Sequence, residues 1–435
     1  MSQEILVYLA YIVPIAAVLF FSIRGRNRRA KVHTETLRET LDAGLTEPPT
    51  LHPVFDPNLC IGSGSCVNAC PEHAIGLVNG KAVLITPAVC IGHGACAASC
   101  AFDAIHLVFG TEKRGVDIPQ VKPDFETNVP GIFIAGELGG MGLIRKAVEQ
   151  GRQAVVTMSK RKKTSAPYDV LIVGAGPAGM ASTLSAHEQN LRYITIEQES
   201  TFGGTTLHYP RGKLVMTAPM HLPIYGKVNF RETNKEALME LWEDVVQKTG
   251  IKINFGERME RIDHQSDGTF SVVTSRGTYH TNSVLLSIGR RGTPRKLDVP
   301  GEDLEKVMYR LIDPAQFTGK HVLVVGGGDA ALEAAVTISE EPRTTVTLSY
   351  RSNAFSRVKV KNRKYAEAAS ATGRLNILLE SNVTEILPNS VKLEQKGNVI
   401  EIPNDAVIIC AGGILPTPLL QEIGIKIDTH RGQRH

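Results

Sequence analysis

Two stretches of this 435-residue chain share one pattern, and together they constrain the fold more than any other feature. YDVLIVGAGPAGMAS begins at Tyr168 and HVLVVGGGDAALEAA begins at His321. In each, a short apolar run predicts a strand buried on both faces, as in parallel sheets. A glycine turn and a helix of small residues follow. In the first, Gly174 and Gly176 permit the tight turn and close approach of a pyrophosphate, and Gly179 lets helix and strand pack. The next strand, residues 193–196, ends in Glu197, an acid placed for a ribose hydroxyl. In the second, Gly326, Gly328 and Ala331 take the three roles. Its following strand, residues 345–349, ends in Tyr350-Arg351 rather than an acid. An arginine there attracts a 2′-phosphate, which favours NADPH over NADH. Arg357 and Lys359 lie close by in sequence and read as an assisting or merely exposed basic loop. The fold class is therefore α/β with two Rossmann-type nucleotide-binding domains. A net charge of +4 is too small to argue for nucleic acid.

A second repeat lies upstream. CIGSGSCVNAC (60–70) returns as CIGHGACAASC (90–100), each followed by Ala-Ile, at 74–75 and 104–105. Six of the seven cysteines fall in this stretch. Dense cysteines at short repeated spacing indicate metal ligation rather than a disulfide framework, and such thiolates need reducing surroundings. Residues 52–109 resemble a dicluster bacterial-type ferredoxin, a small α+β domain. Cys60, Cys66, Cys70 and Pro71 match its Cys-x2-Cys-x2-Cys-x3-Cys-Pro run, with Ser63 in place of the second cysteine. The fourth cysteine of each run crosses to the other cluster in that fold. The resemblance thus implies Cys60, Cys66 and Cys100 on one cluster and Cys90, Cys96 and Cys70 on the other. Ser63 and His93 occupy the vacated positions. Both halves have lost the same ligand, which random decay would not favour. Three thiolates hold a 3Fe–4S cluster; a 4Fe–4S cluster survives if Ser63 oxygen or His93 nitrogen caps the open corner. Gly62, Gly64, Gly92 and Gly94 let backbone amides approach the sulfides. A metal-free fold, or zinc held by Cys and His, is the alternative.

At the N-terminus, residues 5–23 carry no charge and would rise about 28 Å as a helix, close to the apolar thickness of a bilayer. Pro14 would kink such a helix without forbidding it. Arg24, Arg26, Arg28, Arg29 and Lys31 follow. This order predicts a single-pass anchor in the inner (cytoplasmic) membrane with everything downstream in the cytoplasm. Residues 32–50 read as a helical stalk and spacer.

Downstream, Gly203-Gly204-Thr205, LLSIGRRGTP (285–294) and VIICAGGILPTP (407–418) complete a second resemblance, covering most of residues 115–430. These segments resemble the thioredoxin-reductase-like branch of the pyridine-nucleotide disulfide oxidoreductases. The resemblance implies FAD in the first nucleotide domain, with Gly204 and Thr205 among its contacts, and NAD(P)H in an inserted second one. Two departures matter. Where disulfide-reducing members carry CxxC, this chain reads YRLIDPAQFTGK (309–320). Without a dithiol no dithiol relay is available, and members lacking the pair resemble ferredoxin–NADP reductases of that type. The closing segment of the family, TNVPGIFIAGELGGMGLIRKAVEQGRQAV, stands at 127–155, ahead of the first glycine motif. The FAD domain therefore reads as circularly permuted. Gly136 and Glu137 fall at the ribityl contact, Glu137 replacing the usual Asp, and a helix from about Leu143 aims its positive end at the flavin.

The expected organisation is an anchor (1–24), a stalk (25–51), a ferredoxin-like domain (52–112), the displaced flavin segment (113–159), a linker (160–167), the FAD domain (168–293), the NAD(P)H domain (294–406) and a return to the FAD domain (407–435). Cys410 reads as core, His208 to Arg211 as a surface loop in preference to a border of the flavin or a substrate, and Trp242 as packing on a helix over 232–248. The function expected is a membrane-anchored oxidoreductase. Electrons move between NADPH, FAD and two iron–sulfur clusters to a partner, which is a quinone, a cytochrome or another redox protein. Self-association as a homodimer is left open. Hydride and electron transfer demand no acid–base catalyst, so none is named. The alternatives are a redox sensor or scaffold, and a quinone or small-disulfide reductase that ignores the clusters.

Overall fold

The computed structural model describes residues 3–432 except 43–45, 49–50, 91, 93, 113–114, 141, 163, 210–213, 231, 312 and 356–357. The chain divides into two compact units. One is Met1–Arg114 with Ala354–Val360 and Arg431–His435; the other is Gly115–Asn353 with Lys361–His430.

The first unit opens with α1 (Gln3–Asp42), a 40-residue helix that runs through Pro14 without a break. The expected membrane anchor, and the inner-membrane location built on it, are corrected here. Among the described residues no helix is long and apolar enough to cross a membrane. The apolar run is not a separate segment. It continues into the basic stretch and then into a half that packs on the cysteine repeat. There the His33 ring accepts a hydrogen bond from the Leu77 amide at 3.0 Å and occupies the space that a side chain on Gly76 would need.

The repeat is written into the backbone. β1 (His52–Phe55) leads to the short helix α2 (Ser65–Ala69), followed by β2 (Ile75–Val78), β3 (Lys81–Leu84), the short helix α3 (Ala95–Ala98) and β4 (Ile105–Val108). β1 pairs antiparallel with β4, and β2 with β3. Gly64 and Gly94 start the two helices at φ 79° and 73°. His73 and Asp103 sit at φ 50° and 47°, thirty residues apart like the cysteines. Cys66, Ile75, Ala82, Cys96 and Ile105 form the small core between the halves.

The second unit holds two parallel sheets. Along the chain come β5 (Val116–Pro119), β6 (Ile132–Ile134), α4 (Ile144–Ser159), β7 (Val170–Val173), α5 (Pro177–Glu188), β8 (Tyr193–Glu197), α6 (Lys235–Thr249), β9 (Asn254–Phe255) and β10 (Val284–Leu286). The first sheet has the order β9-β8-β7-β10-β6, every neighbour parallel. Residues 132–134 are thus hydrogen-bonded into the sheet that carries the first glycine turn. α4 lies against α5, where a Cβ on Gly151 would stand 2.2 Å from the Ala178 carbonyl oxygen. No larger residue permits that approach.

The second sheet comprises β11 (Val307–Met308), β12 (His321–Val325), β13 (Thr345–Tyr350), β14 (Leu375–Leu379) and β15 (Ala406–Ile409) in the order β11-β15-β12-β13-β14, again all parallel. α7 (Asp329–Ser339) follows β12. A three-stranded antiparallel sheet accompanies each lobe, Met259–His264 with Phe270–Thr274 and Gly277–Thr281, and Ser381–Ile386 with Ser390–Gln395 and Asn398–Pro403. Finally β16 (Ile427–His430) pairs antiparallel with β5, His430 opposite Val116. The helix expected from residue 232 begins three residues later. Glu232–Asn234 is drawn into a strand pair with Leu214–Met216, and the Asn234 side chain caps α6 by accepting from the Ala237 amide at 2.8 Å.

Candidate functional site

Six cysteines are brought into two groups. Cys60, Cys66 and Cys100, with Ser63, line a void of about 340 Å³ that opens to solvent. Cys70, Cys90 and Cys96 line a second of about 350 Å³. Each void takes two cysteines from one half of the repeat and one from the other. Local geometry produces this. The left-handed glycines turn the chain tightly, so that short helices carry Cys66 and Cys96 inward, and the cysteine just past each helix reaches the opposite half. Gly62 at φ 72° admits no side chain, since a Cβ would lie 2.1 Å from the Gly80 carbonyl oxygen.

Burial pushes the Cys66, Cys90 and Cys96 thiols up, while backbone hydrogen bonds at Val67, Gly92 and Ala97 oppose it. Those amides favour the thiolate form that metal ligation requires. Among the described residues no three His, Cys, Asp or Glu side chains converge closely enough to hold a single metal ion. The Ser63 hydroxyl lies at the rim of the first void, 3.3 Å from the Ser65 hydroxyl. His93 lies outside the described residues.

The first glycine turn forms a cradle. Gly174 adopts φ 104°, and a Cβ on Gly179 would lie 1.8 Å from the Gly174 carbonyl oxygen, so both positions exclude side chains. Gly176 faces Gly204 so closely that a Cβ on Gly204 would lie 3.0 Å from the Gly176 Cα. The two bare backbones leave room for an elongated phosphate-bearing group. Glu197 is buried at the end of β8. Its carboxylate accepts from the Ala175 amide at 2.6 Å and the Glu199 amide at 2.9 Å, tying the acid to the turn. Thr205 enters the short helical turn after Gly204. From β6 the chain passes through Gly136, at φ 85° and ψ −153°, a conformation open essentially to glycine alone. Glu137 follows, its carboxyl pushed up by burial with the nearby Arg290 partly offsetting this.

The second turn has the same form. Gly326 sits at φ 144°, and a Cβ there would meet the Cys410 carbonyl oxygen at 2.4 Å. Gly328 begins α7, and Ala331 is fully buried beneath it. Arg351 is exposed immediately beyond β13. Arg357 lies outside the described residues. Burial pushes the Cys410 thiol up to about 11 against the opposing Arg291; the residue is half-buried just beyond β15 rather than in the core. Trp242 is fully buried, and its indole N–H has no partner among the described residues.

Several residues at these cradles escape sequence inspection. The Gln150 side-chain Oε1 accepts from the Gly136 amide at 2.8 Å. The Ser287 hydroxyl donates to the Val173 and Gly174 carbonyls at 2.7 and 3.1 Å. The Tyr350 ring lies on Gly327, in the space a side chain there would fill. The expectation of a surface loop at His208 is corrected. Its side chain is 11% exposed, bonded to Glu199 at 3.1 Å and in contact with Arg310. Burial, with Arg291 and Arg310 nearby, holds its pKa below the usual imidazole value. Arg310 belongs to the stretch that lacks the cysteine pair, so the contact could be read only from the fold.

Two parallel sheets with bare glycine cradles, in a chain with paired thiol-lined voids, define a dinucleotide-dependent redox protein. Residues 171–434 match the family model for pyridine nucleotide-disulphide oxidoreductase, over half of the sequence, and the chain belongs to that family. Residues 52–101 match a 4Fe-4S dicluster domain. FAD and NADPH are the cofactors of the first domain, and iron–sulfur clusters those of the second. The chain is 30% identical over 223 residues to ferredoxin–NADP reductase 1 of Christiangramia forsetii, covering 50% of this chain and 60% of that protein. It therefore spans less than two thirds of that relative's length. It is 28% identical over 274 residues to ferredoxin–NADP reductase of Thermus thermophilus, covering 60% and 78%. It is 26% identical over 269 residues to bacilliredoxin reductase Bdr of Bacillus subtilis, covering 60% and 82%. Among solved structures, bacillithiol disulfide reductase from Staphylococcus aureus shares the fold, with a TM-score of 0.53 at 21% identity over 60% of this chain and 80% of that one.

Proposed function

We propose that this protein is an NADPH-dependent flavin and iron–sulfur oxidoreductase that exchanges single electrons with a redox protein. When bound, FAD would exchange hydride with NADPH and release electrons singly, and the clusters would carry them. Gly174, Gly176 and Gly204 would seat the FAD pyrophosphate, and Glu197 the ribose. Gly136, Glu137 and Thr205 would border the ribityl chain and flavin. Gly326, Gly328 and Ala331 would seat NADPH, with Arg351 facing its 2′-phosphate. Cys60, Cys66 and Cys100 would hold one cluster, and Cys90, Cys96 and Cys70 the other, with Ser63 and His93 at the altered corners. The crossed sharing of cysteines between two voids carries this reading. A metal-free fold gives no reason for six thiols to face two spaces in complementary threes.

The flavin domain reads as circularly permuted. The parallel pairing of β6 with β10 and the antiparallel pairing of β5 with β16 support this, since residue 430 lies opposite residue 116, near the start of the displaced segment.

Iron and acid-labile sulfide analysis with electron paramagnetic resonance on anaerobically purified protein tests the cluster assignment. Two clusters are expected. Cys66→Ser and Cys96→Ser are each expected to abolish acceptor reduction while NADPH still bleaches the flavin. Undiminished acceptor turnover in both would support a reductase that bypasses the clusters.

A further inference from the structure

The two thiol-lined voids are alike in sequence and unlike in surroundings. Beside the first, the Lys81 ammonium donates to the Cys60 carbonyl at 2.7 Å, and the Ala82 amide donates to the Cys60 sulfur at 3.4 Å. Its rim is exposed at Ile61, Ser63 and Ser65. The second void is lined by Glu72, which makes no hydrogen bond or ion pair among the described residues. Facing the Cys90 sulfur is the Leu51 carbonyl oxygen, at 3.9 Å. Cys66 and Cys96 are equally buried, at 7% exposure each. The Gly92 amide serves the Cys90 sulfur as the Ala82 amide serves Cys60, and the amides at Val67 and Ala97 hold equivalent places in the repeat, so these N–H groups cancel in the comparison.

Each one-electron reduction makes a cluster more negative by one charge. A nearby cation stabilises the reduced form; a carboxylate and a facing carbonyl oppose it. Resting on the cluster reading above, we infer that the site of Cys60, Cys66 and Cys100 is the more easily reduced of the two, with Lys81 and Glu72 setting the difference. An electron shared between the two sites then resides mainly at the site of Cys60, Cys66 and Cys100. Lys81 and Glu72 act on the clusters only through their charge, as tuning residues.

The test is a redox titration of the full-length, cluster-loaded protein followed by electron paramagnetic resonance. Lys81→Gln is expected to lower the higher midpoint, and Glu72→Gln to raise the lower one. Each should change the reduced fraction of its own centre several-fold at fixed potential, where tenfold corresponds to 59 mV for one electron. The other midpoint should stay in place. Cys66→Ser should remove the higher-potential signal, and Cys96→Ser the lower. Two clusters with unmoved midpoints, or midpoints moving in the opposite pairing, would overturn the inference and leave the cluster reading intact. Protein without iron and sulfide would overturn the cluster reading itself.

Discussion

Glu197 shows how one side chain serves both fold and ligand. Both carboxylate oxygens accept backbone amides, so Glu197→Ala leaves the buried Ala175 N–H without a partner. That is expected to cost about 1–3 kcal/mol and to lower flavin retention, read by thermal unfolding and by the flavin-to-protein ratio. Burial pushes the Cys410 thiol up to about 11, which leaves about one thiol in a thousand ionised at pH 8. Its alkylation, followed by mass spectrometry, should be slow there and quicken about tenfold per pH unit as pH rises toward 11. Glu197 was legible in the sequence because its role follows from a local strand and turn. His208, Gln150 and Tyr350 were not. Their partners lie 9, 14 and 23 residues away or further in sequence, and only the assembled sheets bring them together.

Among the elements, α4 and α5 depend on one missing side chain. Gly151→Ala should gain about 1 kcal/mol of helix propensity, but its Cβ would overlap the Ala178 carbonyl. Such overpacking costs about 1–3 kcal/mol, so a net loss in melting temperature is expected. The strands carrying the glycine turns were readable because residues 170–173 and 322–325 are continuous apolar runs followed directly by glycine. The start of α6 was misread because residues 232–234 pair with another strand, a tertiary contact that local periodicity does not contain. The N-terminal helix was misread for a similar reason. An uncharged run was taken as a self-standing span, whereas its continuation is held by Leu77 and packs on the repeat.

For the whole molecule, the antiparallel pairing of β5 with β16 makes a further expectation concrete. If segment 115–160 is excised and rejoined after residue 430 through a short turn, the flavin domain should fold and bind FAD with undiminished stoichiometry, because His430 already lies opposite Val116. Failure of that rearranged chain to bind flavin, when assayed by absorbance, would count against the permutation.

The position of β6 also bears on biosynthesis. The strand at 132–134 has no sheet to join until residues 170–173 and 284–286 have been made. A ribosome therefore extrudes Ile132, Phe133 and Ile134 long before their neighbour exists. The nascent chain carries an unsatisfied apolar strand for about a third of its translation, and chaperone demand should peak in that interval, after the cysteine repeat has already emerged.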